Sequence, residues 1–196
     1  MSLLILGLVL FLGVHSVRIF ADGWRTRVRA QVGEMAWKGV YTLVSLIGFA
    51  LIVWGYGEAR QQPIALWGSP GWTRHVAALL TLFAFLLLFA AYVPGNAIKA
   101  KLKHPMVLSV KVWAIAHLLA NNTLADLLLF GGFLLWAVLD FRSARQRDRA
   151  AGTVYPPGRA MPTVISVVLG LAAYAGFAFW AHMAWIGVSP FGRGAG

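Results

Sequence analysis

Five histidines lie in or beside long apolar runs of this chain, where an ionisable side chain is costly and so invites a chemical reading. His15 sits deep in the first run, with Ser16 beside it and Arg18 three residues on. His117 falls in Trp113-Ala-Ile-Ala-His117-Leu-Leu-Ala-Asn121, where Trp113, His117 and Asn121 are four apart and share one helical face. His104 opens that same run, while His75 and His182 lie toward the outer ends of the third and sixth runs. Neutral imidazole is the usual axial ligand of haem iron, and helical bundles build such sites from facing helices. His15 and His117, from separate helices, would make a bis-imidazole site. The same two residues could equally hydrogen-bond between helices. The residues alone leave both readings open.

Other chemistries find less support. There is no HExxH, no carboxylate-rich cluster and no Glu-x-x-His pair, which speaks against zinc-protease and di-iron sites. There is no Gly-rich phosphate loop and no Gly-x-Ser-x-Gly, so nucleotide and acyl-transfer sites of the soluble kind are unsupported. Cysteine is absent, which removes disulfides, thiolate metal sites and iron–sulfur clusters. The remaining polar residues read as structural. Lys111 is expected to snorkel toward the interface, and Asp126 to sit at a positive helix N-terminus. Asp140 is expected to pair with Arg142, and Glu34 to cap a helix or pair with Lys38.

The elements that must carry these side chains are membrane spans. The chain is 60% hydrophobic and only 12% charged, with a mean hydropathy of +0.73, too few charges to cover a soluble surface. A crossing needs roughly 20 apolar residues, and six runs qualify or nearly qualify: 2–21, 36–56, 72–94, 105–121, 123–141 and 163–188. They are continuous and rich in Leu, Ala and Phe, so helices are expected rather than a barrel. The fold class is therefore an all-α integral membrane protein, a six-helix transmembrane bundle forming one domain over 1–196. The fourth run meets the fifth at Asn121-Asn122-Thr123, which suggests a tight hairpin. The first run lacks a basic segment ahead of it and is read as a retained helix rather than a signal peptide.

Charge sets the orientation. Twelve Lys and Arg fall in the first, third and fifth loops: Arg25, Arg27, Arg29, Lys38, Lys99, Lys101, Lys103, Arg142, Arg145, Arg147, Arg149 and Arg159. Only Arg60, Arg74 and Arg193 fall opposite, which predicts cytoplasmic basic loops and both termini on the external, periplasmic side of a bacterial inner membrane. The net charge of +11 is thus explained by topology, with anionic lipid a partner for Lys99, Lys101 and Lys103, and no nucleic acid is expected. Trp24, Trp37, Trp54, Trp67, Trp72, Trp180 and Trp185 cluster near span ends, as an interfacial belt would.

Several stretches together resemble the NnrU family of membrane proteins, which includes relatives of the plant and cyanobacterial 15-cis-ζ-carotene isomerase. They are His15-Ser16-x-Arg18, Gly33-Glu34-x-x-Trp37-Lys38-Gly39-x-Tyr41, and Gly48-Phe49 through Gly55-Tyr56. The most specific runs from Leu102-Lys103-His104-Pro105-Met106 through Lys111-x-Trp113-Ala114-x-Ala116-His117-Leu118-Leu119-Ala120-Asn121. Leu128-Leu129-Phe130-Gly131, Trp136 and Asp140 extend the likeness, which covers roughly 3–142. The resemblance implies a link to denitrification and, through the isomerase relatives, haem b held by histidine with redox-linked ligand exchange. It implies His15 and His117 as axial ligands and His104 as a further polar member of the site. If His117 binds iron, its other ring nitrogen needs a partner, for which Asn121, one turn away, is expected to supply a carbonyl, with Trp113 walling the pocket. An apolar or polyene small molecule and respiratory membrane proteins are the partners it suggests.

Depth bears on that assignment. At about 1.5 Å per residue, His15 lies roughly 9 Å and His117 roughly 18 Å from the cytoplasmic boundary. One haem held by both would need a tilt or a shifted helix. Two other functions compete: a non-catalytic assembly or support factor for a respiratory complex, and a small-molecule transporter. The second lacks the paired broken helices and midplane carboxylates that transport sites use.

Overall fold

A computed structural model describes residues 1–191, and these are helical, with two isolated backbone bridges and no strand among them. Arg193, counted above on the external side, lies outside the described residues. The helices are α1 (Ser2–Phe20), α2 (Asp22–Val32), α3 (Glu34–Ala59), α4 (Thr73–Tyr92), α5 (Ala97–Leu102), α6 (Pro105–Ala120), α7 (Leu124–Ala150), α8 (Ala160–Gly176) and α9 (His182–Ile186). A π-helical turn, Phe177–Ala181, joins α8 to α9 into one rod.

Among the described residues, five helices are long and apolar enough to cross a membrane: α1, α3, α4, α7 and the continuous Ala160–Ile186. The sixth, α6, has 16 residues and spans about 24 Å, short of a hydrocarbon core of about 30 Å. The six-span expectation therefore resolves into five full-length helices and one short apolar helix. Large apolar side chains such as Leu43, Leu46, Phe49, Leu79, Phe83 and Val168 are exposed on these helices, which suits lipid as the solvent. The protein is an integral membrane protein.

The basic segments read as loops are largely helical. Arg25, Arg27 and Arg29 lie on α2, which buries no residue, and Lys99 and Lys101 lie on α5. Arg142, Arg145, Arg147 and Arg149 lie on α7, which continues nine residues beyond the expected end at 141. Charge disqualified these stretches as spans but not as helices, since Arg and Lys are good helix formers.

The chain divides into two compact units. The first, Met1–Gly68 with Asn122–Ser143, is built on α1, α3 and the first part of α7. Its seam is made of small residues. On α3 the buried positions are Gly48, Ile52, Gly55 and Ala59, a heptad-like spacing; on α1 they are Leu4, Gly7 and Leu8. A Cβ on Gly55 would lie 2.2 Å from the Leu4 nitrogen, and one on Gly7 would lie 2.6 Å from the Ile52 nitrogen. Backbone therefore meets backbone, the approach that only glycine permits and that membrane helices favour. The ring pairs Phe11–Phe133 and His15–Trp136 step in the same direction along both helices, so α1 and α7 run parallel.

Thr123 caps α7 in this unit. Asp126 Oδ2 accepts from the Thr123 backbone and hydroxyl, and the Asp126 N–H donates to Thr123 Oγ1. Tyr56 at the end of α3 donates to the other carboxylate oxygen of this buried Asp126. Asp126 is thus satisfied as a cap at the positive end of a helix. The segment that follows α3 is pinned too, through Leu66 N–H to Asn122 O and Leu124 N–H to Ile64 O.

The second unit, Ser69–Asn121 with Ala144 onward, packs α4 against α6 and α8. Gly170 admits the Leu86 backbone at 3.1 Å from its would-be Cβ, and Tyr174 donates to the Ala78 carbonyl across the same pair of helices. Buried Asn96 caps α5 by accepting from Lys99 N–H and donates to the carbonyls of Ala90 and Val93.

Candidate functional site

His15 is reached from the α1–α3 seam. Helical periodicity places Leu4, Leu8, Phe11 and His15 along one stripe, and Tyr41 precedes Gly48 by one heptad on α3. Phe11 stacks on the imidazole at 4.2 Å between centroids with planes 27° apart. Tyr41 flanks it at 5.2 Å, and Trp136 of α7 meets it edge-on at 6.1 Å and 88°. Nδ1 lies 2.7 Å from the Phe11 carbonyl oxygen. A carbonyl can only accept, so Nδ1 carries the hydrogen and the neutral ring has its lone pair on Nε2.

His117, in the other unit, repeats this arrangement. Its Nδ1 lies 2.8 Å from the Trp113 carbonyl oxygen, four residues back, and the Trp113 ring lies 5.1 Å away. Here too the neutral tautomer has its lone pair on Nε2. The orienting partner is thus the Trp113 backbone, where Asn121 had been expected. Asn121 instead closes α6: both its backbone N–H and its Nδ2 donate to the His117 carbonyl, at 2.9 and 2.8 Å.

His104 is used differently. It precedes Pro105 at the start of α6, and its Nε2 lies 2.8 Å from Asp148 Oδ2. Tyr155 donates to the same oxygen at 3.0 Å, and the Lys103 ammonium lies 5.5 Å from the Tyr155 ring centroid. This cluster lies past the apolar run 124–141, among the basic residues. Desolvation would raise the Asp148 carboxyl, but the hydrogen bonds from His104 and Tyr155, with the nearby His104 and Lys103 charges, bring it below its ordinary value. Tyr155 moves up, through desolvation and its bond to Asp148. The cluster fastens α6, the end of α7 and the connector; it belongs to the same unit as His117 but is a separate constellation. His75 is exposed, and His182 Nδ1 is bonded to the Val188 carbonyl.

Sequence reasoning missed the parts around His15. Phe11 and Trp136 carry no ionisable group and pass as apolar filler. Two signals were available: an aromatic four residues before His15, as before His117, and the heptad Tyr41, Gly48, Gly55.

No group of three or more His, Cys, Asp or Glu positioned to hold a metal ion occurs among the described residues. A porphyrin asks for less, because its macrocycle supplies four of the iron's ligands and the chain supplies at most two. Within the first unit the chemistry around His15 suits such a group: an imidazole with Nδ1 engaged by backbone, aromatic neighbours, and a buried Trp136 Nε1 with no hydrogen-bond partner among the described residues; within the second, His117 has the same backbone-engaged Nδ1 beside an aromatic ring. What fold and site define is a helical integral membrane protein with two half-buried histidines, each oriented by its own helix. The chain matches the family model described as NnrU protein over residues 3–190, and it belongs to the NnrU family. Comparisons with curated proteins and with solved structures returned no match.

Proposed function

We propose that this protein binds haem b within the membrane, with His15 and His117 as axial ligands, and serves nitrogen-oxide metabolism in a bacterial inner membrane as an isomerase-like or redox component. The observation that carries the reading is the paired fixing of Nδ1 by a carbonyl one helical turn back, which puts the lone pair of each neutral ring on Nε2, the atom that would ligate iron. A haem would supply a redox-active iron in an apolar setting. The chain's own residues hold the two imidazoles in one tautomer, exclude water with Phe11, Tyr41, Trp113 and Trp136, and resist rotation of the rings. The link to denitrification is supported by family membership and the resemblance described above. Basic residues on α2, α5 and the end of α7 support cytoplasmic placement of those segments, with both termini external.

Absorption spectroscopy of the detergent-purified protein tests the reading. A Soret band with split α/β bands on reduction is expected. His15→Ala and His117→Ala should each disturb the low-spin spectrum, and the double variant should be nearly colourless. His75→Ala and His182→Ala should change little. A wild-type chain that binds no haem on reconstitution would refute the proposal, and full colour in the double variant would refute the ligand pair.

A further inference from the structure

Trp136 presents a buried indole N–H that no described residue accepts. An unpaired buried donor loses its hydrogen bond to water with nothing in return, and Trp is normally placed where its N–H finds a partner. This one stands edge-on to His15 at 6.1 Å between ring centroids, inside the aromatic shell formed with Phe11 and Tyr41. A phenylalanine would fill the same wall without an orphaned donor.

We infer that Trp136 Nε1 donates a hydrogen bond to a carboxylate oxygen of the tetrapyrrole whose iron His15 ligates, an inference that rests on the haem reading above. The macrocycle is apolar apart from its two propionates, and those are its strong hydrogen-bond acceptors. Placement within the helices agrees. Because α1 and α7 run parallel, Arg18, three residues beyond His15, and Arg142, six beyond Trp136, mark the same end of the unit. A carboxylate at the level of Trp136 therefore faces the basic end rather than the hydrocarbon midplane. Asp140 lies one turn beyond Trp136, so the site is not simply cationic, and a directed N–H is the feature that selects where a carboxylate can sit.

The test compares two porphyrins. Haem-stripped wild-type protein and Trp136→Phe are titrated with haem b and with its dimethyl ester, which keeps the iron and ring but carries no carboxylate. Trp136→Phe should bind haem about ten- to a hundredfold more weakly, the loss of one hydrogen bond to a charged acceptor, while binding the ester nearly as wild type does. On wild-type protein, the Trp136 indole ¹⁵N–H resonance, assigned by triple-resonance correlation to its own backbone, should shift further downfield with diamagnetic zinc protoporphyrin IX than with its dimethyl ester, which keeps the inference testable should the variant fold poorly. Equal affinity of both proteins for haem, equal losses for both porphyrins, or a resonance shifted no further by the acid than by the ester would overturn the pairing while leaving the haem reading in place. Failure of the wild-type chain to bind either porphyrin would overturn both.

Discussion

Replacing Gly48 with alanine tests whether the α1–α3 seam is what holds His15 in place. A Cβ at Gly48 would lie 2.8 Å from the Phe11 nitrogen and 3.1 Å from both its Cα and Cβ. Comfortable carbon contacts begin near 3.5 Å, so α1 must retreat by about half an ångström. The opposing atoms are backbone, which cannot swing aside as a side-chain tip could. Overpacking of this kind costs about 1–3 kcal/mol, offset by up to about 1 kcal/mol because alanine is the better helix former. A net loss of about 1–2 kcal/mol is expected, or roughly 2–8 °C in Tm for a chain of this size. Phe11 both accepts from His15 Nδ1 and stacks on its ring, so the displaced residue is the one that orients the imidazole. Gly57→Ala is the control, since nothing lies within 4 Å of a Cβ there; it should leave Tm unchanged or slightly raised. Thermal unfolding of both variants in one detergent, followed by tryptophan fluorescence, gives the answer. A Gly48→Ala protein as stable as wild type, or a Gly57→Ala protein equally damaged, would refute the packing argument.

Three further expectations concern other parts of the molecule. Asp148→Asn should lower Tm by about 2–4 °C by weakening the bonds from His104 and Tyr155, and it should flatten the acid limb of stability against pH. The sign follows from the shifts: a lowered Asp148 pKa gives stability that is present above the ordinary value of 3.8 and lost as pH falls through the folded one. The raised Tyr155 pKa gives stability lost as pH climbs above 10.0. Wild-type and variant melts across that range would show it, and parallel curves would dismiss the cluster. Because the chain has no cysteine, a single cysteine at Ser143 should resist impermeant reagents in intact cells, and labelling there would reverse the proposed orientation. Asn121→Leu should cost about 1 kcal/mol by loosening the end of α6, with the His117 imidazole still held by the Trp113 carbonyl; a haem spectrum lost as fully as in His117→Ala would contradict that division of labour.

The apolar runs were legible because hydrophobic length reports a span directly. Their starts and ends were legible only where composition changes. At α7 the sequence turns basic at Arg142 while the helix continues to Ala150. The site was legible as a set of histidines but not as geometry. Nothing in the text of the chain says that Asn121 would spend its side chain on a backbone carbonyl, or that His104 would find Asp148, forty-four residues away. Such pairings depend on where loops return, and hydropathy carries no record of that. The Gly48–Gly55 heptad was visible, yet its meaning required the opposing backbone of Leu4 and Phe11.

A bond from Nδ1 to the carbonyl one turn back is something any helix offers, so by itself it argues only for a satisfied ring. What distinguishes His15 and His117 is the company of that bond. In each, the residue four positions back is a large aromatic that gives both the accepting carbonyl and a ring against the imidazole. The other histidines lack the combination: His104 commits Nε2 to a carboxylate, His182 bonds a carbonyl six residues ahead, and His75 is exposed. An imidazole placed only for helix packing gains from presenting both nitrogens to neighbouring helices. These two instead spend Nδ1 inside their own helix and cover one face with an aromatic ring, which fixes the direction of Nε2. On α1 and on α6 alike, Nδ1 is spent within the residue's own helix beside an aromatic ring, and that repetition is the structural ground for naming these two histidines together in the proposal above.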